Sequence, residues 1–224
     1  MQLNVRDVSH FLKVPENRIY QWVADGSLPA QRINSQYYFN KSELLEWAAL
    51  NRVEVSWEIF QKGDNGNGPL PTVTTALHAG GIFYNVEGTD KDSMLQSVVN
   101  CMTFPEEFDK DLLLQLLLAR ESHGSTAIGD GIAIPHPRSS VVAPLERASL
   151  TLCFLKQPIP FDAPDKKPVD TIFALLAPNV KTHLHLLARL SFVLCDPGFK
   201  QAILAKSRPE EIFAHADRLA AAIA

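Results

Sequence analysis

Residues 120–138 read RESHGSTAIGDGIAIPHPR, and the fold is decided by how this stretch is parsed. Gly124-x-x-x-x-Gly129 is half of a nucleotide-binding P-loop, but Asp130 and Gly131 stand where that motif demands Lys and Ser or Thr. A carboxylate would meet the phosphate there, so the P-loop reading is rejected. What remains is a short apolar run, Ile132-Ala133-Ile134, that reads as a strand. Pro135 has no N–H with which to continue a ladder, so His136 emerges where the strand stops. Near neutral pH a neutral imidazole is well populated, and a ring nitrogen can attack phosphorus without a strong base. Phosphoryl transfer then needs mostly positioning and charge neutralisation.

On either side the periodicities predict an α/β unit. Met94, Leu95, Val98, Val99 and Met102 recur at helical spacing over 92–102, and a strongly apolar helix is expected over 108–119. Residues 148–155 alternate, with Leu150, Leu152 and Phe154 on one side and Ser149, Thr151 and Cys153 on the other. Residues 169–177 are almost continuously apolar, as in a strand covered on both faces. Helices are expected at 181–194 and 197–205, and a last one from Ser207-x-x-Glu210 with Pro209 in its first turn. A β-sheet flanked by helices follows.

Upstream, QKGDNGNGPLP at 61–71 crowds Gly, Asn and Pro without apolar periodicity and reads as a linker. It separates a unit of residues 1–60 from one of residues 72–224. In the first, Val5, Val8, Phe11 and Leu12 have helical spacing, with Asn4 and Asp7 placed as a capping pair. A second helix is expected over 16–24, ended by Asp25-Gly26. Two short strands, 30–33 and 36–39, turn at Asn34-Ser35, and Asn40-x-x-Glu43 opens a third helix carrying Leu44, Leu45, Trp47 and Ala48. Helix, tight turn, helix, hairpin, helix is the layout of a winged helix-turn-helix.

The residues carry two family resemblances. LNVRDVSHFLKVPENRIYQWVADGSLPAQRI followed by YYFNKSELLEW resembles the excisionase/MerR-like DNA-binding domain. The resemblance implies that Asn17, Arg18 and Gln21 face DNA from the second helix, with Arg32 at the wing. Arg can read guanine, and Asn or Gln adenine. Pro15 stands where a Ser or Thr cap is usual, and the wing beyond Arg32 is not basic.

STAIGDGIAIPHPR, with RE upstream and PIPFDAPDKKPVDTIFALLAP…KTHLHLLARLS downstream, resembles the EIIA domain of the fructose/mannitol class of the phosphotransferase system, nearest its nitrogen-regulatory branch. The implied fold is the type-2 EIIA fold, a mixed β-sheet flanked by helices. The implied activity is that of a phosphohistidine phosphocarrier, a phosphotransferase. By that resemblance His136 takes phosphate from a phosphorylated HPr-type carrier protein, Arg120 approaches the phosphoryl oxygens, and His183 is the second active-site histidine. Ser125 and Thr126 are implied to line the site as phosphate donors. The residue after the histidine is usually small in this family, whereas here it is Pro137, which has no N–H.

The His183-x-His185 pair on one helix would point to different faces, so no metal site and no cofactor is expected. Composition excludes other classes. The chain has 224 residues, 46% apolar and 21% charged, close to an ordinary globular protein, which excludes disorder and collagen. No apolar run approaches the ~18–20 residues that span a bilayer, and the first twenty residues lack a secretion signal, so a cytoplasmic protein is expected. Cys101, Cys153 and Cys195 are an odd, widely spaced set in apolar contexts, read as buried thiols. The net charge of −4 does not suggest indiscriminate nucleic-acid binding.

Two units on one chain therefore suggest a regulatory phosphocarrier whose N-terminal domain reports the state of His136 to DNA or to a protein. The alternatives are an EIIA component passing phosphate to a separate EIIB in sugar uptake, and a binding protein never phosphorylated. Helix-turn-helix units often work as two-fold pairs, which makes a homodimer an expectation as well.

Overall fold

The computed structural model describes residues 2–33, 36–51, 53, 55, 56, 70–106, 108–137, 145 and 147–221. It divides into two compact units, Met1–Pro69 and Leu70–Ala224. Most of the expected linker, and the turn at Asn34-Ser35, lie outside the described residues.

In the first unit β1 (Gln2–Asn4) leads into α1 (Val5–Phe11), followed by α2 (Glu16–Ala24), β2 (Gln31–Ile33), β3 (Gln36–Asn40) and α3 (Lys41–Leu50). Asn4 and Asp7 form the expected capping box: the Asp7 N–H donates to Asn4 Oδ1 at 2.9 Å and the Asn4 N–H to Asp7 Oδ2 at 3.1 Å. Pro15, lacking a cap side chain, leaves the start of α2 without that bond. The sheet runs β1-β3-β2, all antiparallel, with Leu3 opposite Phe39. β1 was not expected, because three residues are too few to show alternation. Val8, Phe11, Leu12, Ile19, Leu28, Phe39, Leu44, Leu45 and Ala48 form the core. Beyond α3 the chain returns to this core: the Val53 N–H donates to the Ala48 carbonyl at 2.9 Å and the Ser56 N–H to that of Phe11 at 2.6 Å.

The second unit comprises α4 (Val73–Gly80), β4 (Ile82–Val86), α5 (Lys91–Cys101), α6 (Lys110–Glu121), β5 (Ala127–Gly129), β6 (Ile132–Ala133), β7 (Ser149–Ile159), β8 (Val169–Leu176), α7 (Val180–Cys195), α8 (Pro197–Leu204) and α9 (Pro209–Ala221). Its sheet order is β4-β7-β8-β6-β5. β7 is parallel to β4 and antiparallel to β8, while β6 is parallel to β8 and antiparallel to β5, so the sheet is mixed. Of the two alternating sides expected for β7, neither is open: Thr151 and Cys153 are as buried as Leu150 and Leu152. Both faces of this strand are covered, and short polar side chains on its second face do not mark a solvated side. α4 packs on β7 so closely that a Cβ on Gly80 would lie 2.4 Å from the Leu150 carbonyl carbon and oxygen.

Of the three thiols expected to be buried, Cys153 is, whereas Cys101 is half-buried and Cys195 exposed. A hydrogen bond from the Cys153 thiol, with help from the Lys110 charge, brings the Cys101 thiol down to about 7 and raises that of Cys153.

His185, on α7, shares its Nε2 proton with the Pro71 carbonyl at 3.1 Å, fixing the chain just before Thr72 caps α4. Burial, with the charges of Arg189 and Lys181, lowers its pKa to about 4. The folded value lies below the unfolded one of about 6.5, so this contribution to stability is complete above pH 6.5 and is lost as pH falls towards 4. Stability measured by urea melts is expected to drop over that window by on the order of 1 kcal/mol more in the wild type than in His185→Gln, a figure discounted for partial exposure.

Candidate active site

The turn joining β5 to β6 has three consecutive residues in the left-handed region, Gly129 (φ 87°), Asp130 (φ 54°) and Gly131 (φ 76°). Two glycines make this run affordable, and Asp130 tolerates it because its backbone and side chain are both held. Its N–H donates to Asp165 Oδ2 at 2.8 Å, and its carboxylate pairs with Lys200 and with Lys167. That N–H bond leads the effects that lower the Asp165 pKa. The Asp170 and Thr171 N–H groups both reach the Gly131 carbonyl, at 3.0 and 3.1 Å, which docks β6 beside β8.

β6 ends at Ala133, one residue before the expected end at Ile134. The Ile134 N–H still reaches back to the Thr126 carbonyl at 3.0 Å, and the Pro135 carbonyl accepts from the Leu175 N–H at 3.0 Å. His136 follows at 0% exposure, and Pro137 is buried beside it. His136 Nδ1 lies 2.7 Å from the Ile134 carbonyl oxygen. A carbonyl can only accept, so Nδ1 carries the proton and, in the neutral ring, Nε2 carries the lone pair. The imidazole of His183, in the first turns of α7, sits with its centroid 5.0 Å from that of His136 at 59°. Asn179 caps this helix through the Thr182 N–H at 2.9 Å and thereby sets where His183 falls. The two histidines of the H-x-H pair do part company, His183 towards His136 and His185 towards Pro71.

Arg120 occupies the last turn of α6, is buried, and donates from Nη1 to the Gly124 carbonyl at 2.9 Å. Ser125 donates its hydroxyl to the Phe161 carbonyl and accepts the Ala127 N–H at 3.2 Å. Thr126 gives both its N–H (3.0 Å) and its hydroxyl (2.7 Å) to Glu121 Oε2. Each hydroxyl thus serves a protein acceptor, and contact with a phosphate would require an exchange of partners. Sequence reasoning did not single out Glu121, the buried carboxylate that receives both bonds. Its Oε1 lies 3.3 Å from Lys91 Nζ, which also pairs with Asp162 at 2.7 Å. The only signal was a carboxylate beside Arg120 at the end of an apolar helix, and its burial was not visible there.

In the other unit Asn17, Arg18 and Gln21 are exposed on α2 and Arg32 is exposed on β2. Arg18 Nη1 donates to Gln21 Oε1 at 3.3 Å and its guanidinium lies 5.2 Å from the Trp22 ring centroid.

A mixed sheet flanked by helices carries His136 just past a strand end, facing His183 on α7, and comparison with known proteins makes this unit an EIIA domain. The chain belongs to the family described as phosphoenolpyruvate-dependent sugar phosphotransferase system, EIIA 2, which matches residues 75–217, and a helix-turn-helix domain matches residues 3–51. Its relatives include the nitrogen regulatory protein of Pseudomonas aeruginosa, 38% identical over 122 residues, which are 53% of this chain and 77% of that protein. The nitrogen regulatory protein of Escherichia coli is 40% identical over 104 residues, 46% of this chain and 63% of that protein. The crystal structure of the nitrogen regulatory protein IIA-Ntr from Neisseria meningitidis superposes with a TM-score of 0.53 at 30% identity, covering 60% of this chain and 92% of that one. Among the described residues no helix is long and apolar enough to cross a membrane.

Proposed function

We propose that this protein is a regulatory phosphocarrier: His136 accepts a phosphoryl group from a phosphorylated HPr-type carrier, and the helix-turn-helix unit reports that state by binding DNA. The observation that carries the reading is the bond from His136 Nδ1 to the Ile134 carbonyl, which leaves the Nε2 lone pair for phosphorus. In the transfer Nε2 forms a P–N bond as the phosphorus bond to the carrier's own nitrogen breaks. The Nδ1 proton stays in place, and the Ile134 carbonyl stabilises the positive charge that develops on the ring. Arg120 would neutralise the phosphoryl oxygens, and His183 would lie beside the incoming group. For a guanidinium about 4 Å from one negative charge, the attraction is about 4 kcal/mol at an effective dielectric near 20. Ser125 and Thr126 shape the loop beside the acceptor, and their hydroxyls become phosphate donors on exchanging partners.

Exposure of Asn17, Arg18 and Gln21 along one helix supports DNA reading, with Arg32 as a phosphate contact from the wing. Phosphorylation adds about two negative charges, which oppose DNA binding. The test is a relay from labelled phosphoenolpyruvate through enzyme I and an HPr-type carrier, followed by mapping of the phosphate and titration of DNA with both forms. Acid-labile phosphate on His136 and weaker DNA binding by the phosphorylated form are expected. An unlabelled protein, in a mixture that labels a control EIIA, overturns the acceptor role. Equal DNA affinity of the two forms overturns the coupling, and rapid passage to an EIIB protein would instead make the chain a link in sugar uptake.

A further inference from the structure

Glu121 is a nearly buried carboxylate, with 5% of its side chain exposed, that takes no part in the transfer just described. A continuous chain of bonds leads from it to the acceptor ring. Lys91 Nζ lies 3.3 Å from Glu121 Oε1, and Glu121 Oε2 receives both the N–H and the hydroxyl of Thr126. The Thr126 carbonyl receives the Ile134 N–H at 3.0 Å, and the Ile134 carbonyl receives the His136 Nδ1 proton at 2.7 Å. Lys91 reaches the other flank as well, pairing with Asp162, next to the Phe161 carbonyl that holds the Ser125 hydroxyl.

We propose that Glu121, braced by Lys91, is a positioning residue that fixes Thr126 and through it the Ile134 peptide, so that His136 is held as the Nδ1–H tautomer with Nε2 ready to react. The chemistry fits the task. β5 and β6 have only three and two residues, too short to define their own register firmly, and their pairing already shifts between Ala127 and Gly129. A carboxylate that accepts two bonds from one residue sets both the direction of that residue's backbone and its side-chain rotamer, and charge assistance makes the bonds stronger than neutral ones. Without it Thr126 is free to turn, the Ile134 carbonyl loses its aim, and either imidazole nitrogen can carry the proton.

The consequence for phosphoryl transfer rests on the acceptor role of His136, but the tautomer does not. The test is therefore imidazole nitrogen NMR on the full-length, nitrogen-15-labelled protein, with the labelling rate from phospho-HPr as a second readout. Wild type is expected to show a protonated Nδ1 and a bare Nε2. Glu121→Ala should give a mixture of tautomers, and a labelling rate reduced by about 10–100-fold. Should that variant melt below the measuring temperature, Thr126→Val and Thr126→Ser decide. Valine loses the hydroxyl bond and should shift towards the mixture, whereas serine keeps it and should retain the Nδ1–H tautomer. An unmixed Nδ1–H tautomer in Glu121→Ala, or in Thr126→Val where the first does not fold, overturns the proposal. If wild type takes no label, the acceptor role falls, and the tautomer comparison still decides the part played by Glu121.

Discussion

With His136 replaced by alanine no label is expected from phospho-HPr, and with Arg120 replaced by alanine the labelling rate is expected to fall by about 10²–10³-fold, the usual loss of one preorganised charge donor in a transition state. The two variants test different things. On the proposed transfer His136→Ala removes the atom that bonds phosphorus, so residual labelling would place the acceptor elsewhere. Arg120→Ala leaves the acceptor and removes a fixed, buried cation whose Nη1 is already oriented by the Gly124 carbonyl. Lysine at 120 should recover only part of the rate, because an ammonium keeps the charge but cannot hold the Gly124 carbonyl and face a phosphate with one rigid fork. Full activity in Arg120→Lys would reduce the residue to a point charge. Full activity in Arg120→Ala would remove it from the transfer altogether.

The second large effect concerns the fold. Gly80→Ala should destabilise the EIIA unit by about 3 kcal/mol or more, at or above the upper end of ordinary overpacking. The new methyl would lie 2.4 Å from the Leu150 carbonyl carbon and oxygen and 2.7 Å from the Thr151 nitrogen. These are backbone atoms of a ladder strand, and they cannot move aside as a side-chain tip can. The contact cannot open without disturbing two further bonds, from the Leu152 N–H to the Gly81 carbonyl at 3.0 Å and from the Thr151 hydroxyl to that of Gly80. Thermal melts of Gly80→Ala and of Gly26→Ala give the contrast. Gly26 has open space around its missing Cβ, so its cost is limited to its left-handed backbone (φ 75°).

Much of this molecule was legible because its signals are local. Asn4 and Asp7 cap a helix through bonds three residues apart, and β6 ends shortly before Pro135, which has no N–H to extend it. His136 and His183 came as a pair only through a family pattern, since nothing in spacing alone brings residues 47 apart to 5.0 Å. What escaped was short or set by tertiary contacts. α4 contains Val73, Thr74 and Thr75 in its first turn, poor helix formers, and is held by packing on β7 and by the Thr72 cap. β4 is interrupted by Asn85 at φ 57°, and β5 hides within a run rich in Ser, Thr and Gly. Glu121 and Lys91 meet across thirty residues, and Cys195 follows the apolar run Phe192-Val193-Leu194 yet is exposed on its helix. Partners of this kind are decided by the packing of helices, which periodicity does not report.

The burial of His136 bears on time as well as on chemistry. A phosphoramidate is lost when water attacks phosphorus, and if His136 carries one as proposed, its ring, with no exposed surface, is one to which bulk water has poor access. On the proposed reading, the same walls that make arrival depend on a docked carrier would slow spontaneous decay. A cell using such a protein would read not the instantaneous flux through its phosphorelay but an average over the recent past, with the half-life of one nitrogen–phosphorus bond as the length of its memory.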